Sequence, residues 1–582
     1  MKFLIFLLIT FLALSFNFNL QSAQADNLSW WQKAVIYQIY PKSFQDSNGS
    51  GTGDLNGIIK RLDYLKDLGV NAVWITPFFT SPMVDNGYDI SDYINVDKSY
   101  GSMSDFENLI HEANKRDIKI ILDLVFNHTS DQHAWFLESK QNKTNPKADW
   151  YIWRDKITNW RGIFGGSAWT FCPERGQYYL HTFAEQQPDL NWENKEVREA
   201  LYNAAKFWLD KGVSGFRIDA ITYIKKPDKF IDGEPDASDG MINVHAMTAN
   251  TPGILEFLNE FKLEAFNYKD NIVTVGEANG VKPEELGSWV GDNGVFSMLF
   301  EFSHIILGFG DGERWCYPKE FKLTQLKQAL TATQNATKNS WAPIFFENHD
   351  QPRSINHFFN FKNLNNNQAA QAAKALAVIL MTLRGTPFIY QGEELGLQNT
   401  AWPDINNYND ISSHGQYNLA IKEGFTPEQA LKFVHMFSRD NARTPMQWDA
   451  SANAGFTSKN ITPWLPVHED YKIYNAQSES EDANSVLNFY KKLIKFRREH
   501  EELISGEYNE LIADNEALYA YTRTLNNKKL LIIINFALED ITLPDELADL
   551  TKNSEIILNN LNNLNNKLNI LQPFEARIYK LN

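Results

Sequence analysis

Short apolar runs alternate with amphipathic helix patterns along most of this chain. That alternation restricts it to helices packed on a mainly parallel sheet. Eight runs have strand character: Ala34–Pro41, Ala72–Pro77, Ile118–His128, Gly215–Ile221, Ile272–Ala278, Val295–Phe302, Ile344–Asp350 and Pro387–Gln391. Helical spacing of Leu, Ile and Ala fills intervals between them, at 55–68, 103–116, 197–210, 254–266 and 369–383. Eight such units over about 480 residues predict a closed (β/α)₈ barrel.

One connection breaks the rhythm. About 65 residues rich in Trp, Gly, Asn and Pro separate His128 from the helix near Lys195, too long for a bare loop and enough for an inserted subdomain over 129–194. The barrel then occupies 26–128 and 195–504. Past the helix at 486–498, strand patterns at 507–513, 517–524, 529–536, 554–558 and 576–581 alternate with Asn, Asp and Pro turns. They predict a C-terminal antiparallel β-sandwich domain over 505–582. The Asn-rich run Asn559–Asn569 reads as a long turn.

The first 25 residues have another character. Lys2, an apolar stretch from Phe3 to Phe18 and Ala23-Gln24-Ala25 form the three regions of a secretory signal peptide. Cleavage after Ala25 would leave an exported, periplasmic or secreted, chain starting at Asp26. The alternative, an uncleaved anchor, needs about 20 apolar residues, and the stretch has about 16. No later stretch is apolar enough to span a bilayer. The net charge of −17 argues against a nucleic-acid partner. Aromatic residues make up 13%, with 16 Trp and 23 Tyr, which suits stacking on sugar rings as well as filling a core. Cys172 and Cys316 are too few for a disulfide framework, and their spacing does not say whether they pair.

Chemistry in such a barrel sits where strands end. The third run closes on Asp123-Leu-Val-Phe-Asn127-His128, the fourth on Arg217-Ile-Asp219-Ala220, the fifth on Gly276-Glu277-Ala278 and the seventh on Glu347-Asn348-His349-Asp350. Arg217 and Asp219 alternate with apolar neighbours, so they share one strand face. Three acids at separate strand ends need partners if buried. An ion-pair network or a divalent metal site would satisfy them. So would a catalytic pair, nucleophile and proton donor, at the roughly 5–5.5 Å that retaining glycosidases use.

The segments DLVFNH, GFRIDAI, GEA and FENHDQPR resemble the four short regions of glycoside hydrolase family 13, the α-amylase superfamily. Trp30-Trp31 with Val35–Pro41, Ser81–Tyr93, Gln187–Trp192, Tyr390–Glu394 and Asp440–Trp448 are similar to its oligo-1,6-glucosidase and α-glucosidase branch. The resemblance spans the mature chain and implies a barrel, an insert after the third strand and a C-terminal β domain. By position it implies that Asp219 is the nucleophile, Glu277 the general acid and then base, and Asp350 the third carboxylate that orients the sugar. Arg217 is expected to keep Asp219 ionised. His128 and His349 are expected to bind sugar hydroxyls, and Tyr88 to stack on the ring. The resemblance also implies that Asp85 and Arg443 pair to grip the 4-hydroxyl of a terminal glucose, making the enzyme exo-acting. Relatives that have lost catalysis would lack one of the three acids, and this chain has all three.

Linkage hangs on the residue after the nucleophile. In this branch alanine or threonine there goes with α-1,4 and valine with α-1,6 preference. Ala220 therefore implies an α-glucosidase of maltase type, acting on maltose and short oligosaccharides. The alternatives are oligo-1,6-glucosidase, a sucrose-isomerase-type relative and trehalose-6-phosphate hydrolase, the last disfavoured by a secretory signal. The loop Asp46-Ser-Asn48-Gly-Ser50-Gly-Thr52-Gly-Asp54 alternates oxygen side chains with glycine. Such a loop can turn several oxygens onto one structural Ca²⁺, or be an ordinary turn. In the family an aspartate stands where this chain has Ser50. No organic cofactor is implied.

Overall fold

The computed structural model describes residues 28–291, 293–359, 364–561 and 568–581. The segment expected to be a signal peptide and part of the Asn-rich run lie outside the described residues. Eight parallel strands form one sheet: β1 (Ile36–Ile39), β2 (Ala72–Ile75), β3 (Lys119–Val125), β4 (Gly215–Asp219), β5 (Val273–Glu277), β6 (Met298–Phe300), β7 (Pro343–Ile344) and β8 (Thr386–Tyr390). β1 pairs with both β2 and β8, the ladder runs on from β2 to β6, and β7 pairs with β8. β6 and β7 lie side by side and complete the cylinder. All eight expected strands are present, and β7 is the most shortened. Beyond Ile344 the backbone leaves the ladder: the Phe345 carbonyl accepts from His304 Nε2 at 2.9 Å, and Glu347 turns back to Arg353 and Ser354.

Local chemistry sets the helix ends. Asp54 caps Leu55–Leu68 by accepting the Gly57 N–H at 2.7 Å, and Gly69 ends that helix at φ 100°. Ser102 and Asp105 form a capping box on Met103–Lys115. Asn366–Thr382 is apolar over most of its surface and buried accordingly, packed beneath Val486–Glu499 and the C-terminal sheet.

The insert is a three-stranded antiparallel sheet, Trp153–Arg154, Gln177–Leu180 and Trp169–Cys172, preceded by helix Ala134–Ser139. It does not bury its core alone. Val244, from the connection after β4, packs among Ile152, Trp160, Trp169 and Leu180. Ile242–Asn243 also pairs with Trp160–Arg161, and Arg161 is bridged to Asp236 and Asp239.

The C-terminal domain is a five-stranded antiparallel sheet, with a two-stranded pair (Ile541–Thr542, Ile570–Leu571) and helix Asp545–Thr551 beside it. Its strand Leu518–Leu525 sends Tyr519 and Tyr521 into the barrel-side core. Leu518 and Ala520 enter the separate core under Leu547 and Leu571. Cys172 and Cys316 are both buried and unpaired. No helix among the described residues is long and apolar enough to cross a membrane.

Candidate active site

Asp219 and Glu277 reach the mouth of the barrel because β4 and β5 are neighbours, with Ile218 opposite Gly276 in the ladder. Adjacent strands stand about 4.8 Å apart. The next residues along, the two acids, therefore meet over the strand ends. One guanidinium holds both. Arg217 Nη1 lies 2.7 Å from Asp219 Oδ1, and Nη2 lies 2.8 Å from Glu277 Oε1. The Ala220 N–H donates to Glu277 Oε2 at 2.9 Å. Ala220 is left-handed, at φ 48° and ψ 36°, which turns that N–H toward the neighbouring strand.

Asp123, which the sequence reading quoted but gave no role, stands opposite Arg217 in the β3–β4 ladder and is bound to it at 2.8 Å. The Tyr88 hydroxyl and Trp74 Nε1 donate to Asp123 Oδ2 at 2.9 and 3.2 Å. Burial pushes the Asp123 carboxyl up to about 6. Burial, helped by the charges of Glu277, Asp123 and Asp350, pushes the Asp219 carboxyl up, and Arg217 opposes that rise more strongly than any other group, favouring the ionised form.

Asp350 lies past the end of β7, in the turn that follows. His349 Nε2 is 3.0 Å from its Oδ2, while Arg443 Nη2 and Arg439 Nη1 reach Oδ1 at 2.8 and 3.1 Å. Against the upward push of burial, these neighbours hold Asp350 well below the ordinary range.

The arginine of the expected clamp is corrected. Asp85 is bonded to Arg439, at 3.0 Å, and not to Arg443. Arg443 instead holds Asp350 and the His349 carbonyl. Both arginines stand one turn apart around the short helix Asp440–Arg443, and only packing tells which one faces Asp85. The spacing Arg439-Asp-Asn-Ala-Arg443 was signal enough to consider both. Gln187 Nε2 also donates to Asp85 Oδ2, at 3.2 Å.

Asp85, Tyr88, His128, Asp219, Ala220, Glu277, Asp350 and Arg439 line one cavity of about 180 Å³, enough for a single sugar ring. Arg217, His349 and Arg443 stand behind that wall, fully buried. His349 was expected to touch a sugar. Here it stacks flat on Tyr88 with ring centroids 5.1 Å apart and backs Asp350. Burial lowers both His128 and His349 to about 4, so both rings are neutral. His128 Nε2 donates to the Tyr88 carbonyl at 3.1 Å.

The cavity has a roof. Phe164 of the insert covers the Arg439 guanidinium at 4.7 Å, and Gly165 lies against Gly415 of helix Ile411–Lys422. Neither contact was visible in the sequence.

The loop at 46–54 is closed on itself. Asp46 Oδ1 accepts from the Asn48 and Gly49 N–H groups at 3.0 and 2.8 Å. Its Oδ2 accepts from the Thr457 hydroxyl at 2.6 Å. Asp54 accepts from Ser47 and Gly57, and the Ser50 hydroxyl donates to the Thr52 carbonyl at 3.0 Å. Among the described residues, no group of three or more Asp, Glu, His or Cys side chains could share a metal ion. A cation here would rest on two acids, Asp46 and Asp54, with the oxygens of Asn48, Ser50 and Thr52.

Comparison with known proteins agrees with this geometry. The chain is 44% identical over 566 residues to an oligo-1,6-glucosidase of Parageobacillus thermoglucosidasius, covering 95% of this chain and 99% of that one. It is 40% identical to a trehalose-6-phosphate hydrolase of Bacillus subtilis, covering 96% and 99%. The crystal structure of an isomaltulose synthase from Klebsiella sp. LX3 superposes with a TM-score of 0.89 at 40% identity, covering 96% of this chain and 100% of that one. Residues 38–506 match the alpha amylase catalytic domain, and this chain belongs to that family, glycoside hydrolase family 13, with α-glucosidase-type activity.

Proposed function

We propose that the chain is an exo-acting, retaining α-glucosidase that releases the terminal glucose of short α-1,6-linked oligosaccharides. The observation that carries it is the pair Asp219 and Glu277 gripped by one guanidinium, inside a cavity with room for one sugar ring. Two carboxyls drawn to the two nitrogens of one guanidinium suit a retaining mechanism, since an inverting pair stands about 6.5–9.5 Å apart to admit a water. Asp219 attacks the anomeric carbon while Glu277 protonates the leaving oxygen. Glu277 then takes a proton from water, which attacks the glucosyl ester. Asp350, held ionised by two arginines, stabilises the positive charge that develops on the sugar. Asp85 and Arg439 form the far wall and receive the 4-hydroxyl of the terminal glucose.

The choice of linkage departs from the maltase expected above. The 44% identical relative is an oligo-1,6-glucosidase, and that outweighs a single side chain. A phosphorylated sugar is disfavoured by charge. Among the described residues lining the cavity the one Lys or Arg is Arg439, already shared by Asp85, Asp350 and Asp410. Comparing kcat/KM for isomaltose, maltose, sucrose and trehalose 6-phosphate tests the reading, and a maltose preference would overturn it. Ala220 favours that second reading. Valine there adds two methyl groups beside the leaving sugar, so Ala220→Val should lower the maltose-to-isomaltose ratio about tenfold.

Calcium is a separate structural proposal for the 46–54 loop. With two acids its affinity belongs at the weak end, about 10⁻⁴–10⁻³ M. A higher melting temperature in calcium than in chelator is expected, and equal curves would sink it.

A further inference from the structure

Arg439 reaches the cavity wall from a support behind it. Its Nε donates to Asp410 Oδ1 at 2.8 Å, and Nη2 lies 2.7 Å from the same oxygen. The side edge of the guanidinium is taken up in this way. The end of the fork is left for the cavity, with Nη2 on Asp85 at 3.0 Å and Nη1 on Asp350 at 3.1 Å. A guanidinium is planar and its five N–H groups are fixed in that plane, so holding one edge sets the direction of the other. Burial opposes the charge on Arg439, and among the acids that sustain it Asp410 counts for most, ahead of Asp85 and Asp350.

Asp410 is fully buried and stands behind the cavity wall. It also caps helix Ile411–Lys422, accepting the Ser412 N–H at 3.0 Å on Oδ1 and the Ser413 N–H and hydroxyl at 3.1 and 2.7 Å on Oδ2. A cap alone needs no charge, since Asn and Ser serve as well as Asp. The backbone at this point is held in turn by Asp440, whose Oδ2 accepts the Asn409 and Asp410 N–H groups at 2.6 and 2.9 Å. We propose that Asp410 is the positioning residue of the 4-hydroxyl clamp: it holds Arg439 with its fork turned to Asp85, and its charge sets how strongly the site demands a 4-hydroxyl on the terminal sugar. This rests on the exo-acting α-glucosidase reading above. Without that anchor Nε has no partner, and the fork tilts freely between Asp85 and Asp350.

The probes are p-nitrophenyl α-glucoside and its 4-deoxy analogue, compared by kcat/KM. The wild type should be penalised heavily for the missing hydroxyl, because Asp85 and Arg439 are then desolvated with nothing to bind. Asp410→Asn keeps an oxygen for the cap and removes the charge. It should shrink that penalty roughly tenfold, through KM for the glucoside rather than kcat. Asp410→Ser, a second capping residue without charge, should do the same. Ser413→Ala weakens the same helix end and leaves the contact of Asp410 with Arg439 in place, so it should lower the melting temperature and keep the wild-type penalty. An unchanged penalty in the Asp410 variants, or an equal fall in Ser413→Ala, would overturn the inference and leave the clamp standing. No 4-deoxy penalty in the wild type would overturn the clamp, and no hydrolysis of either probe would overturn the glucosidase reading, each taking this inference with it.

Discussion

Arg217 shows how a single side chain organises this site. It is buried, and it binds Asp123, Asp219 and Glu277 together. Removing one acid leaves the cation with two partners, so Asp219→Asn should fold with little change in melting temperature. Its turnover should fall by at least about 10³-fold, because an amide does not attack the anomeric carbon. Residual activity of several per cent would show that another group is the nucleophile. The two arginines of the 439–443 segment should separate in kinetics. Arg439 is bonded to Asp85 in the wall of the cavity, so Arg439→Lys should act mainly on KM, raising it roughly tenfold as the two-pronged contacts are lost. Arg443 touches Asp350 from behind, and Arg443→Lys should act mainly on kcat. Equal effects of both variants on KM would return the clamp to Arg443.

Helix Ile411–Lys422 and the loop at 162–167 meet over the cavity, and the meeting depends on Gly415. A Cβ built there would lie 1.9 Å from the Phe164 carbonyl oxygen. In a free helix, Gly→Ala stabilises by about 1 kcal/mol. Here the sign should reverse. Gly415→Ala must push the insert loop off the helix, and Phe164 off Arg439. We expect a lower melting temperature, together with faster cleavage of oligosaccharides too long for the closed cavity. A rise in melting temperature with unchanged chain-length preference would show that the roof plays no part in exo action.

Part of the fold's pH dependence comes from outside the cavity lining. Glu479, on helix Ala476–Glu481, is buried with its carboxylate on the Leu487 N–H at 3.0 Å. Burial, reinforced by Glu394 and opposed by Lys374, raises it to about 8. An unfolded glutamate titrates near about 4.3. Between these values the folded chain binds more protons than the unfolded one. The stability that Glu479 contributes at low pH is therefore lost as pH rises toward about 8, up to a few kcal/mol. Glu479→Gln removes the titration. Its melting temperature should gain on the wild type between pH 5 and pH 8, and parallel curves would refute the assignment.

Much of this architecture was open to reading because it is local. The eight apolar runs and the helices between them follow from side-chain period and caps, and those depend on residues within a few positions of each other. The three acids were legible too, since strand ends carry the chemistry of a barrel and the motifs around Asp219, Glu277 and Asp350 are contiguous. Contacts that join distant segments were not. Whether Arg439 or Arg443 meets Asp85, and whether His349 faces sugar or backs Asp350, depends on how a strand end, a turn and a short helix pack at one end of the barrel. The same holds for Val244 completing the core of the insert and for Phe164 and Gly165 closing over Gly415. A sequence pattern specifies which face of an element is buried. Which partner buries it is settled by packing between residues as far as 354 positions apart, as Asp85 and Arg439 are.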